Sequence, residues 1–353
     1  MAIKIYPNRI EFERYSLVIN ETGFVVTSNA DPTNTSAYGT FTAADTGIGG
    51  LFQGTVAGYV SQGGAPTVIS SECIEKFPFS TTFTTASNAC CSISKRFKTT
   101  GNSSKQHGYM SGGYGLSLPP SSTTCIDKFP FATNSNSTGV GTLVTGRSSG
   151  AGISSREFGY TTSGVAAAWP TPLPIVNCID KFPFVTDANA IGVGILACTR
   201  SASAGHASTI CGYISQGSGP PGVLNNVEMF AFASDVGGVS LGTLCCSKTG
   251  PAGFSSSTHG YAAGGEASIA PSFRTDVDKF PFSTGFTASL VGTLTQGRSG
   301  IAGHSSSTNG FASGGSTPGA VATIDKLVFS NDSSSTSAGS LNIARYYASG
   351  HQI

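Results

Sequence analysis

The chain has 353 residues, enough for one large domain or two ordinary ones. Its 19 basic and 18 acidic residues nearly cancel, which excludes a global field that would draw in nucleic acid or an anionic membrane. Only 10% of residues are charged against 39% hydrophobic, with 47 glycines, so the composition fits a folded chain with a neutral Ser, Thr, Asn and Gly surface and not a disordered polyelectrolyte.

Residues 1–46 read as a short β-strand segment distinct from the rest of the chain. "AIKIYPNRIEF" and "RYSLVINETGFVVTS" alternate apolar and polar residues, with turn signals at Pro7-Asn8 and Glu21-Thr22-Gly23. Two to four strands are predicted, followed by a Thr, Ala and Asp-rich connector from Asp31 to Gly47. The segment is too short for a core of its own, so its strands need a partner chain or the rim of the next domain. Early charges interrupt any signal-peptide core, and no apolar run reaches the ~18–20 residues that span a bilayer. The expectation is a soluble protein made in the cytoplasm, without membrane insertion, whose surface role would require release in a particle.

From residue 47 to 353 the chain repeats. "CIDKFPF" stands at Cys125–Phe131 and at Cys178–Phe184, with relatives at Cys73, Val227, Val277 and Ile324. A second motif begins at Gly58 ("GYVSQGG"), Gly108, Gly159, Gly212, Gly260 and Gly310, with a period of about 50 residues. A third, Gly-x-Leu-x-x-x-Arg, ends at Arg147, Arg200, Lys248, Arg298 and Arg345, and its first copy is degraded to "ACCSISK", ending at Lys95. "AGxSS" or "AGHxS" follows the base. Every segment is short, β-branched or aromatic, and bounded by Gly, Pro or Ser, which predicts four strands per unit and almost no helix.

The order R…GH…GYxxGG…(I/V)D…GxL resembles the kelch repeat over about residues 47–353, although Gly-x-Leu stands where that family usually carries Trp. The resemblance implies a β-propeller toroid, and the period and count of units give the same answer: an all-β, six-bladed kelch-like β-propeller with a short N-terminal β-strand extension. Residues 1–46 resemble, in a general way, the opening segments of structural proteins of tailed phages infecting marine bacteria. The C-terminal "ARYYASGHQI" is expected to complete the unit begun near Gly50, with either terminus able to supply the innermost strand.

Within the repeat, FPF is expected to fill volume between blades, its Pro marking an edge-like strand or a bulge. The Asp-Lys dyad (Asp127-Lys128, Asp180-Lys181, Asp278-Lys279, Asp325-Lys326) reads as a local polar pair fixing a turn. The basic ring is expected to bond to neighbouring carbonyls. Cys73, Cys125 and Cys178 share a position with Val227, Val277 and Thr323 and read as inert thiols at a small packing site.

No catalytic or metal constellation is predicted, and no cofactor. His107, His206, His259, His304 and His351 all fall on repeat positions, and the Gly-rich tracts lack a phosphate-loop Lys-Ser/Thr. The acids outside the repeat, Glu72, Glu157, Asp187, Asp235, Glu266, Asp276 and Asp332, are expected to scatter over different loops. The loops that refuse to repeat join the second and third strands, and they carry the candidate ligand residues Trp169, Tyr114, Leu116, Leu173, Phe273 and Arg274. Exposed aromatics among Ser and Asn suit a neutral-sugar or protein surface, while Trp169 could equally staple its own Pro-rich loop. The leading expectation is a non-enzymatic virion-type structural or adhesion protein. Residues 1–46 would dock on other structural proteins, and the propeller would serve decoration or recognise a cell-surface glycan. A kelch-type interaction scaffold and a propeller glycan hydrolase or lyase are the alternatives. Whether the chain forms a homo-oligomer stays open.

Overall fold

The computed structural model describes residues 53–65, 71–115, 121–166, 174–220, 222–283 and 285–353, together with the backbone of the strands between residues 4 and 36. The chain divides into two units, Met1–Gly50 and Leu51–Ile353.

In the first unit five strands form an antiparallel meander: Lys4–Tyr6, Arg9–Glu11, Tyr15–Asn20, Gly23–Ser28 and Thr35–Ser36. The fifth exceeds the two to four expected. It lies in the stretch read as connector, where Thr35 and Ser36 pair with Thr27 and Val26. Two residues are too few to show a period, so the sequence pattern gives no sign of it.

The second unit contains no helix among the described residues and six sheets built to one plan. In each, strands a, b, c and d are neighbours in that order and antiparallel. Sheet 1 joins the two ends of the unit: strand a is Ser349–Gln352, b Ala57–Ser61, c Cys73–Pro78 and d Ser87–Cys91. Sheet 2 comprises Thr100–Ser103, His107–Ser111, Cys125–Pro130 and Thr138–Thr142. Sheet 3 comprises Ala151–Ser154, Phe158–Ala166, Ile175–Pro183 and Ile191–Ile195, and sheet 4 Ala204–Ala207, Cys211–Gly219, Gly222–Ala231 and Val239–Thr243. Sheet 5 comprises Ala252–Ser255, His259–Ala263, Asp276–Pro281 and Ser289–Thr293, and sheet 6 Ala302–Ser305, Asn309–Ser313, Thr323–Val328 and Thr336–Ser340. The C-terminal segment therefore supplies strand a of sheet 1.

Strand c explains the six-fold motif. The c–d register shifts between Ile and the acid, at Ile74/Glu75, Ile126/Asp127 and Ile179/Asp180 among others. This bulge turns two consecutive residues inward, so Ile and the acid are both buried while the following Lys stays half-exposed. The bulge thus lies at the Ile–acid step, and the Pro is simply the last residue of the strand rather than an edge marker.

FPF fills the space between sheets. Its first Phe covers the Gly of the GY motif on strand b: a Cβ at Gly108 would lie 2.3 Å from the Phe129 ring. The next sheet supplies an aromatic partner, tilted in the first pair and stacked in the others. Tyr59 of sheet 1 meets Phe131 of sheet 2 at 4.7 Å between centroids, and Tyr109 meets Phe184 at 4.8 Å. Tyr160 meets Phe232 at 5.1 Å, Tyr213 Phe282 at 4.5 Å and Tyr261 Phe329 at 4.9 Å. Phe311 of sheet 6 then stacks on Phe79 of sheet 1 at 4.8 Å, returning the series to its start. Pairs of this kind add about 0.5–1.5 kcal/mol each beyond their buried area.

The a strands meet backbone to backbone. A Cβ on Gly152 would stand 2.0 Å from the carbonyl oxygen of Gly101, and one on Gly303 2.1 Å from that of Gly253. The same contact links Gly205 to Gly152, Gly253 to Gly205, Gly350 to Gly303 and Gly101 to Gly350. Only glycine leaves room for this approach.

Candidate functional site at the b–c loop end of the unit

Six acid–base pairs hold the densest buried charge, and all are enclosed. Arg147 meets Asp180 at 3.0 Å, Lys248 Asp278 at 2.8 Å and Arg298 Asp325 at 3.0 Å, while Arg96, Arg200 and Arg345 pair with Asp127, Glu228 and Glu75. Each base also donates to backbone carbonyls, as Arg298 does to those of Gly314 and Ala312. Several acids accept from the segment leaving strand d of the preceding sheet: Asp180 from Val144 N–H, Glu228 from Ala197 N–H and Glu75 from Asn342 N–H. Burial pushes the Asp127 carboxyl up, opposed by Arg96, and burial pushes Arg298 and Arg345 down, opposed by Asp325 and Glu75. These charges fasten each connection to its sheet and present nothing to a ligand.

Two sequence expectations change here. The Asp and Lys of the dyad do not pair with each other, because neighbouring strand residues point to opposite faces. The Lys reaches instead to the c–d loop of the next sheet, with Lys128–Asp187 at 2.6 Å, Lys181–Asp235 at 2.9 Å and Lys279–Asp332 at 2.6 Å. Three of the seemingly scattered acids are thereby accounted for. In the degraded unit, moreover, the buried base is Arg96, while Lys95 is exposed.

Three histidines on a strands are equally structural. Nδ1 of His206, His304 and His351 lies 3.3, 3.0 and 3.0 Å from the carbonyls of Phe254, His351 and Asn102, each on the next sheet. Burial pushes them down to about 4, about 3 and about 4, so neutral rings donate across the sheets. Among the described residues no group of three or more His, Cys, Asp or Glu is placed to hold a metal ion.

The cysteine position also moves. Strand register sets Cys125 opposite Thr142, and Asn226 and Asp276 opposite Thr243 and Thr293, so the equivalents of the Cys are Asn226, Asp276 and Thr323, not Val227 and Val277. It is a polar, partly exposed position. Arg147 Nη1 lies 2.7 Å from Cys178 Sγ.

What the six units do not share lies where the links enter strand a. Two residues after each base come Lys98, Ser149, Ala202, Gly250, Gly300 and Tyr347, all left-handed, with φ from 49° at Ala202 to 66° at Gly250. Each N–H donates to the carbonyl of the one before: Ser149 to Lys98 (2.8 Å), Ala202 to Ser149 (2.8 Å), Gly250 to Ala202 (2.7 Å) and Gly300 to Gly250 (2.8 Å). Tyr347 donates to Gly300 (2.7 Å), and Lys98 to Tyr347 (3.0 Å). Inside this hydrogen-bonded circle is a cavity of about 80 Å³. A second cavity of about 80 Å³ is lined by all six a strands and ringed by Ser103, Ser154, Ser255, Ser305 and Gln352.

Among the described residues, two neighbouring units place large side chains at the first two positions after the base. Phe97 and Lys98 precede sheet 2, Tyr346 and Tyr347 precede sheet 1, and the other four units carry Ser148, Ser201, Thr249 and Ser299 at the first of these positions. Lys98 Nζ stands 5.1 Å from the Tyr347 ring centroid and 5.6 Å from that of Phe97. Tyr114 meets Phe97 edge-on at 5.6 Å, and Tyr346 meets Tyr347 at 5.8 Å. All five side chains are half-buried. Burial lowers the Lys98 ammonium and raises the Tyr347 hydroxyl. The patch offers apolar ring faces beside one hydrogen-bond-donating cation.

Of the residues singled out in the sequence, Tyr114 belongs to this patch. Phe273 and Arg274 lie in the connection between strands b and c of sheet 5, where Arg274 Nε donates to Asp276 at 2.7 Å. Trp169, Leu116 and Leu173 lie outside the described residues. Sequence reasoning misses Phe97 and Lys98 because it aligns the degraded unit on Lys95, and it misses Tyr346 and Tyr347 because it seeks ligand residues in the loops between the second and third strands. Aligning that unit on Arg96 sets aromatics against Ser and Thr at one repeat position.

No protein-family model and no curated protein matches this chain. Among solved structures the chain is similar to one described as "Structure of YjhT", a propeller-type fold, with a TM-score of 0.59 and 13% identity over 72% of this chain and 87% of that one. The likeness defines an all-β, propeller-type fold.

Proposed function

We propose that residues 47–353 form a six-bladed, kelch-like β-propeller closed by both ends of the unit, and that the protein is a non-enzymatic structural and adhesion component of a larger, virion-type particle. The blade count draws support from six sheets of one plan and from stacking, glycine and hydrogen-bond series that each return to their start. Residues 1–46 are the part assigned to docking on neighbouring structural proteins.

Recognition is assigned to the loop face, and the observation that carries it is the cluster of Phe97, Lys98, Tyr114, Tyr346 and Tyr347. A neutral saccharide suits it, since the C–H faces of a sugar ring cover aromatic rings while hydroxyls accept from an ammonium. The repeat charges are enclosed in ion pairs, which disfavours the hydrolase or lyase reading. A neutral-glycan array probed with the full chain and with Phe97→Ala tests the recognition half: binding lost in the variant is expected, and no binding by the native chain sinks it. Deleting residues 1–46 tests the docking half, which fails if incorporation into the particle is unchanged.

A further inference from the structure

Cys73 opens strand c of sheet 1, Cys91 closes strand d, and the two are direct register partners. The Ser92 N–H donates to the Glu72 carbonyl at 2.7 Å, just outside this pair. That bond makes Cys73–Cys91 a non-hydrogen-bonded pair, the closer of the two antiparallel arrangements, with Cα atoms about 4.5 Å apart and both side chains on one face. A disulfide needs Cα atoms about 4.4–6.8 Å apart, so the bond can form without moving the backbone.

The other sheets carry Cys125 opposite Thr142, Cys178 opposite Ile195, Asn226 opposite Thr243, Asp276 opposite Thr293 and Thr323 opposite Ser340 at this position. Thiol faces thiol only in sheet 1. Neighbouring Cys90 pairs with Ile74 and packs into the cluster of Tyr59, Met110 and Phe129, so it points away from Cys73. Cys73 and Cys91 are only partly buried, which leaves them open to a soluble oxidant. Burial, then the nearby Cys73 sulfur and Glu72, raises the Cys91 thiol, which keeps it protonated and makes oxidation slow rather than spontaneous.

We propose that Cys73 and Cys91 form an oxidation site that closes into a cross-strand disulfide when the protein meets a disulfide oxidant such as glutathione disulfide. One thiolate attacks the oxidant, forming a mixed disulfide and releasing one glutathione thiol. The second thiolate then attacks the protein sulfur of that mixed disulfide, forming the Cys73–Cys91 bond and releasing the second glutathione thiol. Two protein thiols are oxidised, one glutathione disulfide is reduced, and the two thiol protons end on the released glutathione. The bond ties strand d to strand c in the one sheet assembled from both ends of the unit.

The test is oxidation of the full chain with glutathione disulfide, followed by non-reducing peptide mapping and thermal melting. In the native chain and in Cys90→Ser, a Cys73–Cys91 cross-link and a Tm a few degrees above the dithiothreitol-treated sample are expected. Both disappear in Cys91→Ser and in Cys73→Ser, whose reduced forms should give native circular dichroism. A cross-link surviving in Cys91→Ser through Cys90, or exhaustive oxidation that leaves glutathione on Cys73 or Cys91 without a cross-link, overturns the proposal.

Discussion

Two sets of repeated positions, two residues apart in the chain, behave oppositely. The bases from Arg96 to Arg345 are Arg in five units and Lys in one because their side chains make the contacts, with carboxylates and carbonyls that need a buried cation. The positions from Lys98 to Tyr347 vary from Gly to Tyr although all six share one left-handed conformation and one hydrogen bond. There the backbone makes the contact, so the side chain is free to specialise. Repetition therefore marks the frame, and variation at a geometrically fixed position marks the place to look for a ligand.

The largest effect expected on the frame is acid lability. His206, His304 and His351 are held near 4, 3 and 4 against an ordinary 6.5, so the unfolded chain binds more protons than the folded one below pH 6.5. Their stabilisation is complete above that value and is lost as pH falls toward 4, at about 1.4 kcal/mol per pH unit for each ring and about 4 for the three together. Urea midpoints between pH 7 and 4.5 should show this slope, and His304→Asn should lower it by about a third. A flat profile would mean that the rings are not buried neutral.

Breaking a buried pair comes next. Arg345→Met leaves the Glu75 carboxylate enclosed without its partner and should cost about 3–5 kcal/mol, whereas Lys128→Met, which loses a half-exposed pair with Asp187, should cost less than about 1 kcal/mol. Equal costs would remove the distinction between frame and surface charge. Gly303→Ala forces a Cβ to 2.1 Å from the Gly253 carbonyl, while Gly192→Ala meets nothing within 4 Å. Chemical denaturation should give a loss on the order of 1–3 kcal/mol or more for the first and near zero for the second.

Most of the frame was legible because its cause is local. The four segments of each unit, the small residues and the paired aromatics write their strands into about 50 residues, and the number of units can be counted from them. The partners were not legible. Glu228 meets Arg200 only after a strand, a hairpin and a bulge have been folded, and the one-residue register shift before the acid buries it beside Val227. The equivalent of Cys125, by contrast, is legible without folding, since "CIDKFPF" and "DVDKFPF" align without a gap and set Cys125 against Asp276. Part of the candidate site was visible as Tyr114, but Phe97, Tyr346 and Tyr347 become neighbours only where sheets 1 and 2 meet.

The sharpest separation of the two kinds of position has the smallest effect on stability. Tyr347 sits at φ 50°, where a side chain is strained and glycine is at ease, as Gly250 and Gly300 already are in the equivalent units. Tyr347→Gly keeps the N–H that donates to Gly300 and the carbonyl that accepts from Lys98, so the circle of backbone bonds survives. Relief of strain and the added freedom of the unfolded chain oppose each other, and the net change should fall within about 1 kcal/mol. The same substitution removes the ring beneath Lys98 and one edge of the aromatic patch. Denaturation and neutral-glycan binding measured on one preparation should therefore part company, with the melt unchanged and the binding lost. If the melt collapsed, the Tyr347 side chain would belong to the frame. If both were unchanged, the mouth would be a surface without a ligand.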